Sequence, residues 1–120
     1  MSGLKGLLVF QKAYQLAKDI LHATATFPTE ERFGLTDQIR RSSRSVCVNL
    51  AEAYRKRRYK AHFISKLSDA ESENAETDVW MDFATDFRYW NTEVAQNMLA
   101  RNEEVGKIIS YMISNPDKFR

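Results

Sequence analysis

The sequence predicts an all-α domain, an antiparallel up-down-up-down four-helix bundle, and three observations lead to that prediction. Its 120 residues are 43% hydrophobic and 28% charged, which is an ordinary composition for one globular domain. The chain contains only four Gly and two Pro, too few for the frequent turns of a β protein. Apolar residues recur at steps of three and four along four segments, as amphipathic helices require. We therefore expect a single domain over residues 1–120.

The first two helices are predicted over residues 7–27 and 36–56. Pro28 ends the first helix because proline lacks a backbone donor and clashes with the preceding turn. For the second helix we expect Thr36 to be the N-cap and Asp37 to place a carboxylate in the first turn. The inner stripe of the second helix is Leu35, Ile39, Ser42, Ser43, Val46, Leu50, Ala53 and Tyr54.

The last two helices are predicted over residues 60–87 and 92–115. Asn91 is the expected N-cap of the fourth helix, and Pro116 ends it. The break between the second and third helices contains neither Gly nor Pro. We infer it from the loss of apolar periodicity and from the repulsion of four consecutive cations at residues 55–58, with one long bent helix as the alternative.

The sequence favours a cytoplasmic protein. The apolar run at the N-terminus is too short for a signal peptide, and no stretch approaches the roughly 20 apolar residues that cross a bilayer. We therefore expect no membrane partner. Cys47 is the only cysteine, which excludes a disulfide within the chain.

Charge is unevenly distributed along the chain, although the formal net charge is only +2. Residues 40–60 contain eight basic side chains and one acidic side chain, whereas residues 61–90 contain seven acidic and two basic side chains. Arginine binds phosphate oxygens through paired hydrogen bonds, and the neighbouring Tyr54 and Tyr59 could stack on unpaired bases. The first three arginines are expected on the side of the second helix away from its apolar stripe. The candidate nucleic-acid-binding residues are Arg40, Arg41, Arg44, Arg55, Lys56, Arg57, Arg58 and Lys60.

No catalytic motif is recognisable in the sequence. Di-iron bundles need several inward carboxylates with Glu-x-x-His pairs, and the nearest match is Asp19-x-x-His22. His62 has no acidic residue three positions before it, and Cys47 lies between two valines, as expected of a packed side chain. We therefore predict a protein that is not an enzyme and has no catalytic residues, no metal site and no cofactor.

Several polar residues are predicted at the inner edge of the bundle. A buried carboxylate or amide needs a hydrogen-bond partner, so we expect an internal network that fixes helix register, with Arg40 or backbone groups as partners. A ligand pocket and simple exposure at a helix edge are the alternatives. The residues are Asn49, Glu52, Asn74 and Asp78.

The C-terminal half of the third helix is apolar on a second side, which one helix of a small monomer does not easily bury. A subunit interface would cover that side, and its candidate residues are Val79, Trp80, Phe83 and Phe87. A basic surface that docks on a different, acidic surface makes a heterologous contact, and such contacts close into rings when the rotation allows. We therefore expect a homo-oligomeric ring.

The sequence also resembles a known family, that of the four-helix bundle proteins encoded in intervening sequences of bacterial large-subunit ribosomal RNA genes. The main signature runs Phe33-Gly34-Leu35-Thr36-Asp37-Gln38-Ile39-Arg40-Arg41-Ser42-Ser43 and continues through Ser45-Val46 to Asn49-Leu50-Ala51-Glu52-Ala53-Tyr54. Further matching residues are Val9-Phe10-Gln11-Lys12-Ala13, Phe63, Leu67, Ala75-Glu76 and Asp86-Phe87-Arg88-Tyr89. The chain departs from the family pattern at Cys47, at Ala53 and at residues 55–58, where a Gly-containing turn is usual.

The resemblance implies an antiparallel four-helix bundle that assembles into homopentamers. The family also includes the accessory variability determinants of diversity-generating retroelements, which are basic pentamers that associate with reverse transcriptase and nucleic acid. Our first hypothesis is a non-enzymatic homo-oligomeric module, pentameric by resemblance, whose basic surface binds structured RNA, DNA or a nucleic-acid-processing protein. The alternative is a structural protein scaffold in which the basic surface of helix two docks on the acidic helix three of a neighbouring subunit.

Overall fold

The computed structural model describes residues 3–120 and contains four α-helices. They are α1 (Leu8–Ala23), α2 (Leu35–Arg55), α3 (Lys60–Asp86) and α4 (Thr92–Ser114). Short 3-10 turns occupy Leu4–Gly6, Thr24–Thr26, Thr29–Glu31 and Pro116–Lys118. No strand occurs among residues 3–120, so the prediction of an all-α fold is confirmed. None of these helices is long and apolar enough to cross a membrane.

The helices form an antiparallel bundle. Each helix packs on its neighbours in the chain, and α1 also packs on α4, which closes the ring of four. Short connections reverse the chain direction between successive helices, which gives the expected up-down-up-down order. The bundle measures 44 × 25 × 24 Å, and the 27-residue α3, about 40 Å long, runs almost its full length. The α2–α3 turn and the C-terminal residues therefore share one end of the bundle.

The N-termini of α2 and α4 are capped in different ways. Asn91 caps α4 as predicted, since its Oδ1 accepts a backbone N–H of the first turn at 2.8 Å. The prediction for Thr36 is wrong: α2 begins one residue earlier, and the buried Thr36 hydroxyl has no hydrogen-bond partner within residues 3–120. The carboxylate of Glu31 accepts the Leu35 N–H at 3.2 Å instead. It also accepts the Tyr89 hydroxyl at 2.9 Å, which joins the two loops at that end.

The core consists of two apolar clusters with a polar layer between them. One cluster, built around Phe63 and Ile109, fills the end that holds the α2–α3 turn, and the other, built around Ile39 and Met81, fills the opposite end. Five buried polar residues fall between these clusters along the helices, and they are Ser42, Ser43, Asn74, Thr77 and Asn102. A polar layer of this kind specifies helix register because only one alignment satisfies its hydrogen bonds.

Reciprocal amide contacts between α3 and α4 are the centre of the polar layer. The Asn74 Nδ2 donates to the backbone and side-chain oxygens of Asn102, each at 3.0 Å. The Asn102 Nδ2 donates back to the Asn74 carbonyl at 3.1 Å and to the Asp78 carboxylate at 3.4 Å. Gly106 leaves room for this arrangement, since a Cβ there would lie 2.5 Å from the Asn74 Oδ1.

Two of the four residues expected in the internal network lie outside it. Asn49 donates to the Ser45 carbonyl of its own helix at 3.0 Å, and the exposed Glu52 pairs with Lys66 at 2.7 Å. Glu52 therefore pairs with α3 at the exposed edge of α2, and the Asn49 side chain bonds within its own helix. Asn102 was not predicted as a member of the network, because its position on an amphipathic helix gives no sign that a partner amide lies opposite.

Candidate nucleic-acid interface

The cationic corner, residues 55–60, joins α2 to α3 without Gly or Pro. The helix α2 ends at Arg55, and the Lys56 N–H donates to the carbonyls of Glu52 and Ala53, each at 3.0 Å. Residues 56–59 turn the chain before α3 begins at Lys60. Consecutive cations repel one another along a continuous helix, and the turn spreads them over the end of the bundle.

The C-terminal residues fix the shape of this corner. The guanidinium of Arg120 donates to the carbonyls of Arg57 and Arg58 at 2.8 and 3.0 Å. It also pairs with Asp117 at 2.8 Å, and Lys60 pairs with the same carboxylate at 3.2 Å. Hydrogen bonds from Arg120 and Lys60 lower the pKa of Asp117, so this carboxylate stays ionised at neutral pH. Residues 117–120 therefore hold the α2–α3 turn in place through these contacts.

The cations of the corner differ in whether their side chains have partners within the chain. Arg57 lies over the Tyr54 ring at 3.9 Å and donates to the Tyr54 carbonyl at 2.9 Å. By contrast, the side chains of Arg55, Lys56 and Arg58 are exposed and form no ion pair or hydrogen bond within residues 3–120. Three cations of the corner are thus available to an anion from solution.

The corner and the C-terminal residues surround an open cleft of about 710 Å³, which we call the cationic cleft. Its walls are Arg55, Arg57, Arg58, Tyr59, Asp117 and Arg120. Four guanidinium groups and one carboxylate give the cleft a positive field. Such a concave, cationic surface suits phosphate groups, since arginine donates paired hydrogen bonds to phosphate oxygens.

The α2 cations do not form the continuous outer surface that the sequence predicts. Arg40 is half-buried: its Nε donates to Thr24 Oγ1 at 2.8 Å and its Nη2 to the Leu21 carbonyl at 3.3 Å. The expectation that Arg40 faces away from the apolar stripe is therefore wrong, because its long side chain reaches over the end of α1. Arg44 is exposed beside Val48, in a shallow groove along α2.

Arg41 is engaged by acidic residues of its own chain. Its Nη1 pairs with Glu73 at 2.9 Å, and its Nη2 pairs with Glu76, both on α3. Hydrogen bonds from Arg41 lower the pKa of Glu73 below its ordinary value. The contact between basic α2 and acidic α3 that the sequence suggests between subunits is present within one subunit at this position.

We expect Arg41→Gln to reduce the free energy of unfolding by about 1 kcal/mol at pH 7, because the half-exposed ion pairs are partly screened. The ionised Glu73 contributes this stability above its ordinary pKa of 4.5, and the contribution is lost as the pH falls through the lowered folded value. The difference between variant and wild type should therefore shrink toward pH 3. Urea unfolding at both pH values measures it. The control is Arg44→Gln, one turn away, because Arg44 forms no ion pair within residues 3–120. An equal loss in both variants would contradict the role of Arg41.

The second half of α3 carries an exposed apolar surface. Val79, Phe83 and Phe87 are 51%, 43% and 52% exposed, although their types favour burial. The Phe83 ring contacts those of Trp80 and Phe87, at 6.0 and 5.7 Å between centroids. Trp80 differs from the other three interface candidates: it is half-buried against the core, and its Nε1 donates to Glu76 at 3.2 Å. We call Val79, Phe83 and Phe87 the α3 apolar surface.

An acidic row borders the α3 apolar surface. Asp78, Asp82 and Asp86 follow one another at intervals of four residues and form no ion pair within residues 3–120. Burial, together with the neighbouring Asp78 and Asp86 charges, raises the pKa of Asp82. Like charges at this spacing destabilise a helix by a few tenths of a kcal/mol per pair.

The cysteine is buried, and the two histidines lie on different helices. Burial raises the pKa of the Cys47 thiol to about 11, so the group is a neutral packing side chain at pH 7. His22 and His62 are exposed on different helices. Among residues 3–120 no three His, Cys, Asp or Glu side chains are grouped so as to hold a metal ion.

Comparison with known proteins identifies the family. Residues 5–111 match the family described as 23S rRNA-intervening sequence protein. The chain belongs to this family. A crystal structure of a protein with unknown function from the S23 ribosomal protein family of Bacteroides thetaiotaomicron has the same fold, with a TM-score of 0.81 and 27% sequence identity. The match covers 89% of this chain and 96% of that chain. The search of curated proteins found no match.

The segment that matches the 23S rRNA-intervening sequence protein family ends before the C-terminal tail. Asp117 and Arg120, which complete the cationic cleft, therefore lie outside the matched residues. Neither residue was predicted from the sequence, because a short polar segment gives no pattern that assigns it to one end of the bundle. The one available signal was the three charged residues near the C-terminus, Asp117 followed by Lys118 and Arg120.

Proposed function

We propose that this member of the 23S rRNA-intervening sequence protein family is a non-enzymatic homopentameric module that binds nucleic acid, or a protein that processes it. Binding is through the cationic corner. The observation that carries the proposal is the group of three exposed cations, Arg55, Lys56 and Arg58, that form no ion pair within residues 3–120. Two of them, Arg55 and Arg58, line the cationic cleft, whose walls include one carboxylate. Counterion release from phosphates drives association with such a surface, and this makes binding dependent on salt.

The proposed nucleic-acid contact lies at the cationic corner and not along the whole of α2. Arg40 and Arg41 are engaged within the chain, so we assign them to the stability of the bundle. Arg44 remains a candidate at the middle of α2, and Lys60 contributes charge near the cleft while it pairs with Asp117. The binding surface is therefore the end of the bundle, extended along α2 only as far as Arg44.

Replacing Arg55, Lys56 and Arg58 together with Ala should weaken binding to a structured RNA and to duplex DNA about 10- to 100-fold at low salt. The slope of log affinity against log salt should become shallower by about 2 to 3, since each lost phosphate contact removes close to one counterion. Fluorescence anisotropy over a range of salt concentrations measures both. Folding should be unaffected, because these side chains are exposed.

A matched control removes the same charge elsewhere. The exposed residues Lys18, Arg32 and Lys107 lie outside the corner, and replacing all three with Ala lowers the net charge equally. This variant should keep the wild-type salt slope to within about one unit. An equal loss in both variants would mean that only net charge matters and would overturn the assignment of the corner.

A second candidate function is a protein scaffold, which the exposed α3 apolar surface favours. In the scaffold, subunits assemble through this surface and a partner protein takes the place of nucleic acid. The wild-type chain would then bind neither RNA nor DNA at any salt concentration, whereas its oligomer would persist. The contact surfaces of that oligomer are tested separately below.

A further inference from the structure

Tyr59 is an exposed aromatic residue in the wall of the cationic cleft. Its side chain is 56% exposed, and its hydroxyl forms no hydrogen bond within residues 3–120. It precedes the first residue of α3 in an extended backbone conformation, and its nearest aromatic neighbour is the exposed His62, at 5.9 Å between centroids. Neither burial nor capping of α3 accounts for an aromatic ring at this position.

The other tyrosine of the basic run is not available in the same way. The guanidinium of Arg57 covers the Tyr54 ring at 3.9 Å, so the ring already has a stacking partner within the chain. In the sequence, Tyr54 and Tyr59 are equivalent candidates for stacking on bases. The structure separates them: Tyr54 holds an arginine in place, and Tyr59 presents a ring to the cleft.

The arginines of the cleft divide into a fixed pair and an unpaired pair. Arg57 and Arg120 are fixed by hydrogen bonds to backbone carbonyls and shape the wall. Arg55 and Arg58 line the same cleft with no partner among residues 3–120. A fixed wall with two unpaired cations and one exposed ring offers a ligand both phosphate contacts and a stacking surface.

We propose that the cationic cleft binds an unpaired segment of a nucleic-acid strand, with its phosphates on Arg55 and Arg58 and one base stacked on Tyr59. The bases of a duplex are stacked within the helix and expose only their edges, so a ring in a concave cleft can stack only on an unpaired base. A volume of about 710 Å³ falls in the range of small-ligand sites and so accommodates a short unpaired segment, whereas a duplex would have to lie across its mouth. This inference rests on the proposed function, that the corner contacts nucleic acid, and adds which form of nucleic acid it takes.

Fluorescence anisotropy with three labelled probes tests the inference: a short single-stranded RNA, a single-stranded DNA of the same sequence, and the DNA duplex of that sequence. The wild-type protein should bind each single strand about fivefold or more tightly than the duplex. Tyr59→Ala should weaken single-strand binding about tenfold or more and leave duplex binding within about twofold. Tyr59→Phe, which keeps the ring, should restore single-strand binding.

An abasic single strand isolates the stacking contribution. The wild-type protein should bind the base-containing strand about tenfold more tightly than the abasic strand, and Tyr59→Ala should abolish that difference. The salt slope should be the same for wild type and Tyr59→Ala, because the ring makes no ionic contact. The control is Tyr14→Ala, since Tyr14 is similarly exposed and lies beside Lys18 on α1, away from the cleft.

Failure of the inference and failure of the proposed function give different results. Binding that depends on Arg55, Lys56 and Arg58 but not on Tyr59, with equal affinity for duplex and single strand, would overturn the inference and leave the proposed function intact. A loss on Tyr59→Ala that Tyr59→Phe does not restore would also overturn it, because the ring would then not be the contact. Absence of binding to every probe by the wild-type protein would overturn both.

Discussion

Asn102→Ala should lower the free energy of unfolding by about 2 to 3 kcal/mol, a large fraction of the stability of a small domain. Asn102 is 2% exposed, and its side chain both accepts from Asn74 at 3.0 Å and donates to the Asn74 carbonyl at 3.1 Å. Alanine removes the Asn102 Oδ1, so the Asn74 Nδ2 keeps only the Asn102 backbone carbonyl as an acceptor. The truncation also opens a small void. Urea unfolding monitored by circular dichroism measures the change.

A double-mutant cycle shows whether the two amides act as a pair. Asn74→Ala alone should cost a similar amount, and the double variant should cost less than the sum, because removing both amides leaves no unpaired polar group. The control is Asn97→Ala, on the exposed side of α4, which should change stability by about 0.5 kcal/mol or less. Additive single effects would contradict a coupled polar layer.

The sequence was sufficient to predict the fold because the fold depends on periodicity. Each helix buries one stripe, so apolar spacing alone locates four helices and Asn91 marks the start of the last. The first helix was predicted too long: α1 ends at Ala23, not at residue 27, and a 3-10 turn over Thr24–Thr26 follows. The end of α3 at Asp86 lies within one residue of the prediction, but the geometry of the turn after it was not predictable. Arg88 adopts a left-handed conformation with φ of 60°, a position usually taken by glycine, while the Tyr89 N–H donates to the Ala84 carbonyl at 2.9 Å. No residue type in that turn indicated this geometry.

The candidate site was only partly predictable because long cationic side chains choose partners that lie far away in sequence. Arg40 and Arg41 are neighbours, yet Arg40 contacts a residue 16 positions earlier and Arg41 contacts residues 32 and 35 positions later. Helical spacing assigns such residues to a face but says nothing about which acceptors the packing brings within reach. The same limit hid Arg120, whose partners lie 62 and 63 residues earlier.

The second large effect that we expect is loss of the oligomer when the α3 apolar surface is changed. Replacing Phe83 and Phe87 with Gln should convert the proposed pentamer into monomers of about 13.9 kDa at micromolar concentration. Aromatic residues at the centre of an interface commonly contribute 2 kcal/mol or more each, and a ring repeats the loss at every contact. Because both rings are about half exposed, the monomer itself should lose only about 1 kcal/mol of stability. Light scattering behind size exclusion measures the mass.

Salt separates an apolar contact from the alternative ionic one between basic α2 and acidic α3. In 1 M salt the Debye length is about 3 Å, so an ionic interface should dissociate. An interface built on Phe83 and Phe87 should persist there. The control replaces Tyr14 and Phe33 with Gln, which removes two exposed rings from other surfaces and should leave the oligomer intact. A wild-type monomer would contradict self-association altogether. An oligomer that survives the Phe83 and Phe87 changes but dissociates in salt would place the interface on the charged surfaces, with Arg44 and the acidic row of α3 as the residues to replace next.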